Sequence, residues 1–555
     1  MQKSCKQCGI EFIITDNDFK FYDKVSPIFN GVKYTVPSPT LCSDCRKNRR
    51  FSFRNERKLY HRKCDFSGRQ IIAMYSQDKS FTVYDPEEWW SDKWDALEYG
   101  QEFDFNRPFF EQFYELMLKV PRMSLGLVNV ENSDYCNYTG DLKNCYLCYG
   151  SIFAEDCYYG SPYYCQNCVD ILVSRDCKFC YECVDSEKLT ECFFCQDCYN
   201  SNNLLYCYDC QGCEECIGCS GLRQSKYCIF NEKLSKEEYF KRKKKLELNH
   251  KNLGIIKKRF EEIRSNSIRK FSIQHLCEYS TGNYLTECQN VDDSFYVRRA
   301  KDAKFLAQTI DIKDSFDVNY MEDSELIYDS FGAYHNYKNL FCNTVYESSN
   351  MIYCDWCMNN SDSCFGCISL KRKKYCILNK QYTKEKYEEL VPKIIECMEK
   401  AREWGEFFPV SISPFGYNET VAQEYFPLLK DQVLSNNWNW KDEEDGSKNY
   451  MGPKIEVPNN ISDTDESICE KILQCDETGK LYKIIPQEFY FYKRMGLPVP
   501  KICPDQRHKN RLSLRNPQKL WERNCAECYK QIKTSYSPEM PEKVLCEECY
   551  LKETY

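Results

Sequence analysis

The chain has no apolar run long enough to cross a bilayer and no charged-then-apolar leader at its start. It has no excess of positive charge. A net charge of −8 and a pI near 5.6 argue against a wholly basic nucleic-acid coat, though not against a local basic patch. Histidine is scarce, with five residues in 555. No nucleophile–base pair, glycine-rich phosphate loop or HExxH pattern stands out, and scattered acids nominate no acid–base pair without proximity. Together these absences predict a non-enzymatic protein of the cytoplasm.

What the chain does have is cysteine, 39 residues of it, and an aromatic share of 15% dominated by tyrosine. In a reducing compartment, dense cysteine is more often metal-binding than disulfide-bonded, and an odd number is hard to pair. Two sets have the spacing of closed zinc quartets. Cys525-x2-Cys528 and Cys546-x2-Cys549 are separated by 17 residues, and Cys5-x2-Cys8 and Cys42-x2-Cys45 by 33. Each CxxC turn offers two thiolates at one corner, and two turns complete a tetrahedron. All-cysteine sites lack the open position of catalytic zinc, so the expectation is structural zinc, at least two ions.

The two ends are copies of one module. CSDCRKNRRFSFRNERKLYHRKC (42–64) aligns with CPDQRHKNRLSLRNPQKLWERNC (503–525), and DFKFY (18–22) with EFYFY (488–492). Each copy has room for two knots in series. The N-terminal copy keeps its first quartet but only Cys64 of its second. The C-terminal copy keeps its second, while Gln506 replaces Cys45 and Cys475 and Cys503 survive alone, with Cys469 and His508 as irregularly spaced candidates to complete a set.

These residues support a resemblance. Cys5-Lys-Gln-Cys8-Gly9, Phe12, Thr15, Phe21-Tyr22 and Cys42-Ser-Asp-Cys45 followed by Arg46 to Arg50 resemble the small bacterial family called the probable zinc-ribbon domain, over about the first fifty residues. The loop between Tyr22 and Cys42 is longer here. The whole layout also resembles uncharacterised Cys/Tyr-rich zinc-ribbon proteins of candidate-phyla bacteria, and FGYNETVAQEYFPL (415–428) fits that likeness. Neither resemblance implies an activity.

The middle is duplicated too. CIGCSGLRQSKYCIFNEKLSKEEYF (216–240) aligns with CFGCISLKRKKYCILNKQYTKEKYE (364–388). In the first half Cys165, Cys180, Cys195 and Cys210 recur every fifteen residues, as do Cys168, Cys183, Cys198 and Cys213. A fixed short period with Tyr, Phe, Val, Asp and Asn predicts short stacked strands, a parallel β-solenoid with one coil per repeat. The second half has lost most of these cysteines, which favours an internal ladder of small buried side chains over metal. Two compact sets stay open as possible metal sites: Cys354, Cys357, Cys364 and Cys367, and their counterpart Cys207, Cys210, Cys216 and Cys219.

The expected fold is mainly β with some α: zinc-ribbon or treble-clef-like modules at both ends flanking a duplicated Cys-rich repeat, a parallel β-solenoid with helical tails. The divisions are 1–64 ribbon and basic flank, 65–131 aromatic connector, 132–271 and 272–405 repeat halves with tails, 406–468 linker, and 469–555 C-terminal module. Between Arg46 and Lys63 stand nine Lys/Arg against one Glu, interleaved with aromatics. Arg46, Lys47, Arg49, Arg50 and Arg54, and their counterparts Arg507, Arg511 and Arg515, are the expected nucleic-acid contacts, basic groups for phosphates beside rings for bases. The bland alternative is a solvated face, or arginines pairing with the chain's own acidic surface. The alternatives for function are a protein-interaction scaffold using the solenoid face, and an iron–sulfur or redox protein using the repeat cysteines.

Overall fold

The computed structural model describes residues 1–442 and 450–554; residues 443–449 of the expected linker lie outside the described residues. It is a mixed α/β molecule rich in strands, with a cysteine quartet in each terminal module and no closed barrel among its sheets.

Both halves of the middle are built from one local device. From Asn129 to Phe230, and again from Leu276 to Leu378, nearly every third residue takes a left-handed backbone conformation, as at Asp176, Phe179, Glu182 and Asp185 with φ of 52, 52, 53 and 48°. Such a residue turns the chain at a cost that Asn and Asp bear best. The residue after it points inward and is buried, as Cys177, Cys180, Cys183 and Ser186 are. Four triplets bring the chain back over itself, so strands pair in parallel at twelve-residue steps: Glu187 with Tyr199, Asn202 with Glu214, and Glu214 with Lys226. The corner N–H groups bond to the preceding coil, as Asp197 N does to Val184 O at 3.2 Å. This interstrand bonding offsets the left-handed corners.

The twelve-residue step corrects the fifteen-residue expectation. The cysteine pattern spans five triplets and a coil takes four, so Cys165, Cys180, Cys195 and Cys210 do not stack. Each falls one corner further round than the last. The residues that do stack run Cys180, Cys192, Leu204, Cys216, Cys228, with Leu204 opposite Cys216 and Cys216 opposite Cys228. Gly160 marks a slip in the register: at φ 132°, a Cβ there would fall 2.0 Å from the Ile171 carbonyl oxygen.

Inner thiols bond to backbone, Cys177 Sγ donating to Arg175 O at 3.2 Å and Cys183 Sγ to Cys192 O at 3.3 Å. Inner serines do the same, as Ser186 Oγ does to Val184 O at 2.9 Å. In the second half the same positions hold Val291, Val297, Ala300, Ala303, Leu306 and Ile312. Cysteine, serine and small aliphatics are therefore interchangeable fillers of one narrow interior. An extra residue at Asn359–Asn360, both left-handed, widens one step to thirteen, so that Ser349 lies opposite Asp362.

Each half ends in an antiparallel turn and helices. The helix Lys384–Ala401 buries Tyr387, Val391, Ile394, Ile395 and Met398 against the second half. The helix His250–Asn266 lays Leu253, Ile256 and Phe260 against the first. The aromatic connector is core: Trp89 is fully buried, and the helix Phe109–Lys119 buries Phe109, Phe113, Leu116 and Met117. No helix among the described residues is long and apolar enough to cross a membrane.

The terminal modules cross over. The N-terminal one packs on the second half, with Phe21 stacked on Phe316 at 3.7 Å and Tyr22 against Tyr328. The C-terminal one packs on the first half, with Tyr492 against Tyr181. Strand Val83–Tyr84 pairs with Arg122–Met123, and its counterpart Val544–Leu545 pairs with Arg269–Lys270. Lys371 sits over Trp89 and Arg223 over Tyr550 in matching places. The chain is thus built as two module–half units with matching contacts.

Candidate metal centres and the buried basic flanks

Each quartet is assembled from a hairpin and a helix start. Strands Gln2–Ser4 and Glu11–Ile13 pair, and the turn between them carries Cys5 and Cys8, with Gly9 N bonded to Cys5 O at 2.9 Å. Cys42 caps the helix Ser43–Phe51 and Cys45 lies in its first turn. At the other end, strands Trp521–Asn524 and Gln531–Thr534 carry Cys525 and Cys528, and Cys546 and Cys549 stand at the start of the helix Glu547–Thr554. A helix N-terminus favours thiolate.

In both places the four sulfurs lie within 4.8 Å of one another. Cys8 and Cys42 are 3.7 Å apart, and so are Cys528 and Cys546. A tetrahedron with metal–sulfur bonds of about 2.3 Å has edges of roughly 3.8 Å, so the donor sets are of the size and chemistry that zinc takes. The thiols are unpaired as disulfides. A hydrogen bond from Cys45 pulls Cys42 down to about 5, and Cys45 is raised in return. Burial opposes ionisation of Cys525, but backbone donors at Cys528, Cys546 and Glu527 outweigh it and bring it to about 6. Each quartet therefore holds a ready thiolate, and a zinc ion bound there would hold hairpin to helix.

The degenerate knots keep the shape without the ligands. Gly68 N bonds to Cys64 O and Gly479 N to Cys475 O, both at 2.9 Å, as in the intact turns. Asp85 N contacts Cys64 Sγ at 3.4 Å where Cys546 N contacts Cys525 Sγ at 3.3 Å. Thr478 faces Cys503 at 3.8 Å. His508 pairs with Glu424 at 3.3 Å, and neither it nor Cys469 joins a quartet.

The possible sets inside the halves are not gathered. Among the described residues only the two terminal quartets bring such ligand atoms together. Cys207, Cys210, Cys216 and Cys219 occupy successive inner corners and coils, each thiol turned to a carbonyl two residues back, as Cys219 Sγ is to Ile217 O at 3.3 Å. Cys354, Cys357, Cys364 and Cys367 do the same. The twelve-residue coil, not the cysteine spacing, decides which thiols meet.

The basic flanks are corrected more sharply. Arg46 Nε donates to Asp317 at 2.8 Å, and Arg50 reaches Asn319 at 2.6 Å as well as Asp317 and Asp329. Arg49 bonds Asp329 at 2.8 Å and Glu406 at 2.7 Å. Lys47 reaches the Gln518 carbonyl of the other module at 3.2 Å. Arg54 pairs with Glu56 and lies 4.0 Å over Tyr138.

At the other end Arg507 bonds Asp170 at 2.7 Å and Glu488 at 3.1 Å, and Arg515 bonds Asp185 twice at 2.9 Å. Arg511 lies 2.8 Å from Asp170 and 3.0 Å from Glu182 as an ion pair with both, although neither contact has hydrogen-bond alignment. All of these cations except Arg515 are buried outright, and the Arg515 side chain is 4% exposed. Residues one helical turn apart rise about 6 Å, near the roughly 4.8 Å step between coils, so Arg46 and Arg50 grip acids twelve residues apart. Burial favours neutral Asp329, but Arg49, Arg50 and Arg46 overcome it and hold its carboxyl below the usual range. Glu182 is pushed up to about 7, because burial outweighs Arg511.

In the folded chain these arginines are turned inward and paired with the chain's own acids. The recipients Asp170, Glu182, Asp317 and Asp329 are functional residues the sequence reading missed. Their twelve-residue spacing at matching places in the two halves was the signal that could have found them.

Residues 1–54 match a family model described as "Probable treble clef domain", which agrees with the hairpin, helix and quartet found there. No curated protein matches. Among solved structures, a candidate acetyltransferase from Desulfovibrio desulfuricans G20 is 9% identical, over 38% of this chain and 53% of that one, with a TM-score of 0.08. At that similarity it carries no argument about fold or activity, and the match spans about half of that protein's length.

Proposed function

We propose that this is a non-enzymatic binding protein: two β-solenoid halves, each clamped by a terminal treble-clef module whose four-cysteine centre holds structural zinc. One observation carries the reading. Both modules spend the basic helix that follows or lies between their knots on buried acids of the half they cover. The metal orders the knot, and the knot presents the helix. A buried guanidinium is worth its desolvation only where its carboxylate partners are in place, so the modules recognise the halves with specific geometry. The twelve-residue parallel register supports the solenoid reading, and the aliphatic interior of the second half supports cysteine as filler rather than cluster ligand.

Metal analysis of anaerobically purified protein, with its absorption spectrum and low-salt binding to a mixed nucleic-acid pool, tests this. A colourless protein with about two zinc ions per chain and no salt-sensitive binding is expected. Iron with absorption near 400 nm, or nucleic-acid binding lost on Arg46→Glu in a folded protein, overturns it.

A further inference from the structure

A cavity of about 670 Å³ lies where the first half, the start of the second half and the C-terminal module meet. That volume suits a small molecule. Along one of its walls Asp185, Asp197 and Asp209 follow at twelve-residue steps on a single left-handed edge, φ 48, 54 and 49°, so their carboxylates stand one coil apart. The outer two are neutralised. Asp185 takes Arg515, and Asp209 takes Arg223 at 3.0 and 3.1 Å and the Tyr550 hydroxyl.

The middle one is not. Asp197 is 2% exposed, accepts the Tyr284 hydroxyl at 2.7 Å, and has no cationic partner among the described residues. A carboxyl buried in that position takes up a proton unless a cation is supplied to hold it ionised. Burial, with Asp185 and Asp209 as neighbours, holds its carboxyl well above the ordinary range.

Five tyrosines surround it: Tyr199, Tyr208, Tyr284, Tyr296 and Tyr536. The faces of Tyr208 and Tyr296 are covered by Arg269 at 4.5 Å and Arg515 at 3.9 Å. No cation of the described residues lies over Tyr199 or Tyr284, and Tyr284 is braced by stacking on Tyr296 at 4.5 Å. The other charges of the cavity do not answer Asp197: Arg298 takes Glu187, and Arg175 lies over Tyr163 at 4.7 Å.

The second module–half unit supplies a comparison within the molecule. Asp170 and Glu182 match Asp317 and Asp329 as the acids that receive the two basic helices, and in that register Asp185, Asp197 and Asp209 match Gly332, Thr344 and Trp356. There the space is filled. Trp356 is buried against Tyr138 at 6.1 Å, and Arg54 lies over Tyr138, Tyr320 and Phe331 at 4.0, 4.6 and 5.3 Å. The cavity of the first unit is lined by three carboxylates on this edge, and the matching positions of the other unit carry none.

We propose that this cavity binds a small organic amine, its ammonium group seated on Asp197 and flanked by the rings of Tyr199 and Tyr284. A carboxylate among aromatic faces is the chemistry that selects an organic cation. A divalent metal fits less well, because among the described residues the aspartates do not gather their oxygens into a ligand group.

Titration calorimetry on the zinc-loaded protein tests it, with n-butylamine, putrescine and spermidine as probes and butyrate and n-butanol as controls. At least one amine is expected to bind saturably, and neither control. Asp197→Asn should weaken that binding at least about tenfold with zinc content and circular dichroism unchanged. If Asp197→Asn does not fold, Tyr199→Ala, which removes a ring and leaves the carboxylate, should weaken binding several-fold. No saturable amine binding up to millimolar concentration, binding unchanged in the folded variants, or equal binding of butanol overturns the proposal. The zinc reading survives any of those results, since it rests on the quartets alone.

Discussion

Arg46 donates through Nε to Asp317 at 2.8 Å, across 271 positions of sequence, with both side chains shut from solvent. Arg507 does the same to Asp170 at 2.7 Å in the other unit. The two contacts relate the ends of the chain to its middle as a crossed pair.

Removing one partner leaves a buried charge unanswered. Arg46→Met is expected to destabilise the protein by about 3–5 kcal/mol in urea unfolding. Asp317→Asn in the Arg46→Met background should recover part of that loss, because it removes a carboxylate left with only the 3.5 Å contact to Arg50. Recovery is the informative readout, since a surface cation would show neither the loss nor the rescue.

The quartets and the inner thiols should separate cleanly by metal content. Cys546→Ser is expected to remove about one zinc per chain. Cys180→Val should leave both ions in place at a cost of about 1 kcal/mol, the scale of a small core swap. Zinc loss on Cys180→Val would show that the inner thiols bind metal.

Most of the candidate site was legible in the sequence, and much of the fold was not, for one physical reason. A CxxC pair carries its geometry locally, so Cys5, Cys8, Cys42 and Cys45 could be read as a quartet from spacing. The coil closes through residues twelve apart, such as Glu187 and Tyr199, which no local pattern marks. The visible fifteen-residue rhythm of Cys180 and Cys195 was a rhythm of triplets, and the count of triplets per coil is set by corner geometry. Arg46 to Arg50 looked like an exposed basic strip because their partners lie more than 260 positions away, and charge alone does not say which face is buried.

Glu182 should give the C-terminal clamp a pH signature. Its folded value of about 7 lies above that of an unfolded glutamate, so its contribution is fully present below the unfolded value and is lost as pH rises through about 7. Glu182→Gln mimics the protonated form. It is expected to stabilise the protein near pH 8, by roughly 3 kcal/mol at most, and to change little near pH 5. Thermal melts at the two values check the sign. Asp329 works the other way, since its lowered value makes it a stabiliser that is lost as the pH falls below the carboxylate range.

Chelation should unfold only the knots that use metal. The quartets at Cys5–Cys45 and Cys525–Cys549 join a short hairpin to a helix start over small cores, Cys5, Cys42 and Cys45 forming a cluster of their own and Cys525, Cys546 and Cys549 sharing one with Ile532, Val544, Leu545 and Tyr550. A structural zinc supplies on the order of 10 kcal/mol or more to such a knot. The degenerate knots rest on packing instead. The one around Cys64 is backed by Trp89, Trp94 and the Lys371 amine over their rings, and the one around Cys475 by Ile484, Phe489 and Tyr492. Limited proteolysis with a strong zinc chelator is therefore expected to cut within 5–45 and 525–549 while sparing 64–90 and 475–503. Readdition of zinc should restore protection. Cleavage of all four knots together would mean that the modules fold as single metal-dependent units, and that the lost ligands were never replaced by packing.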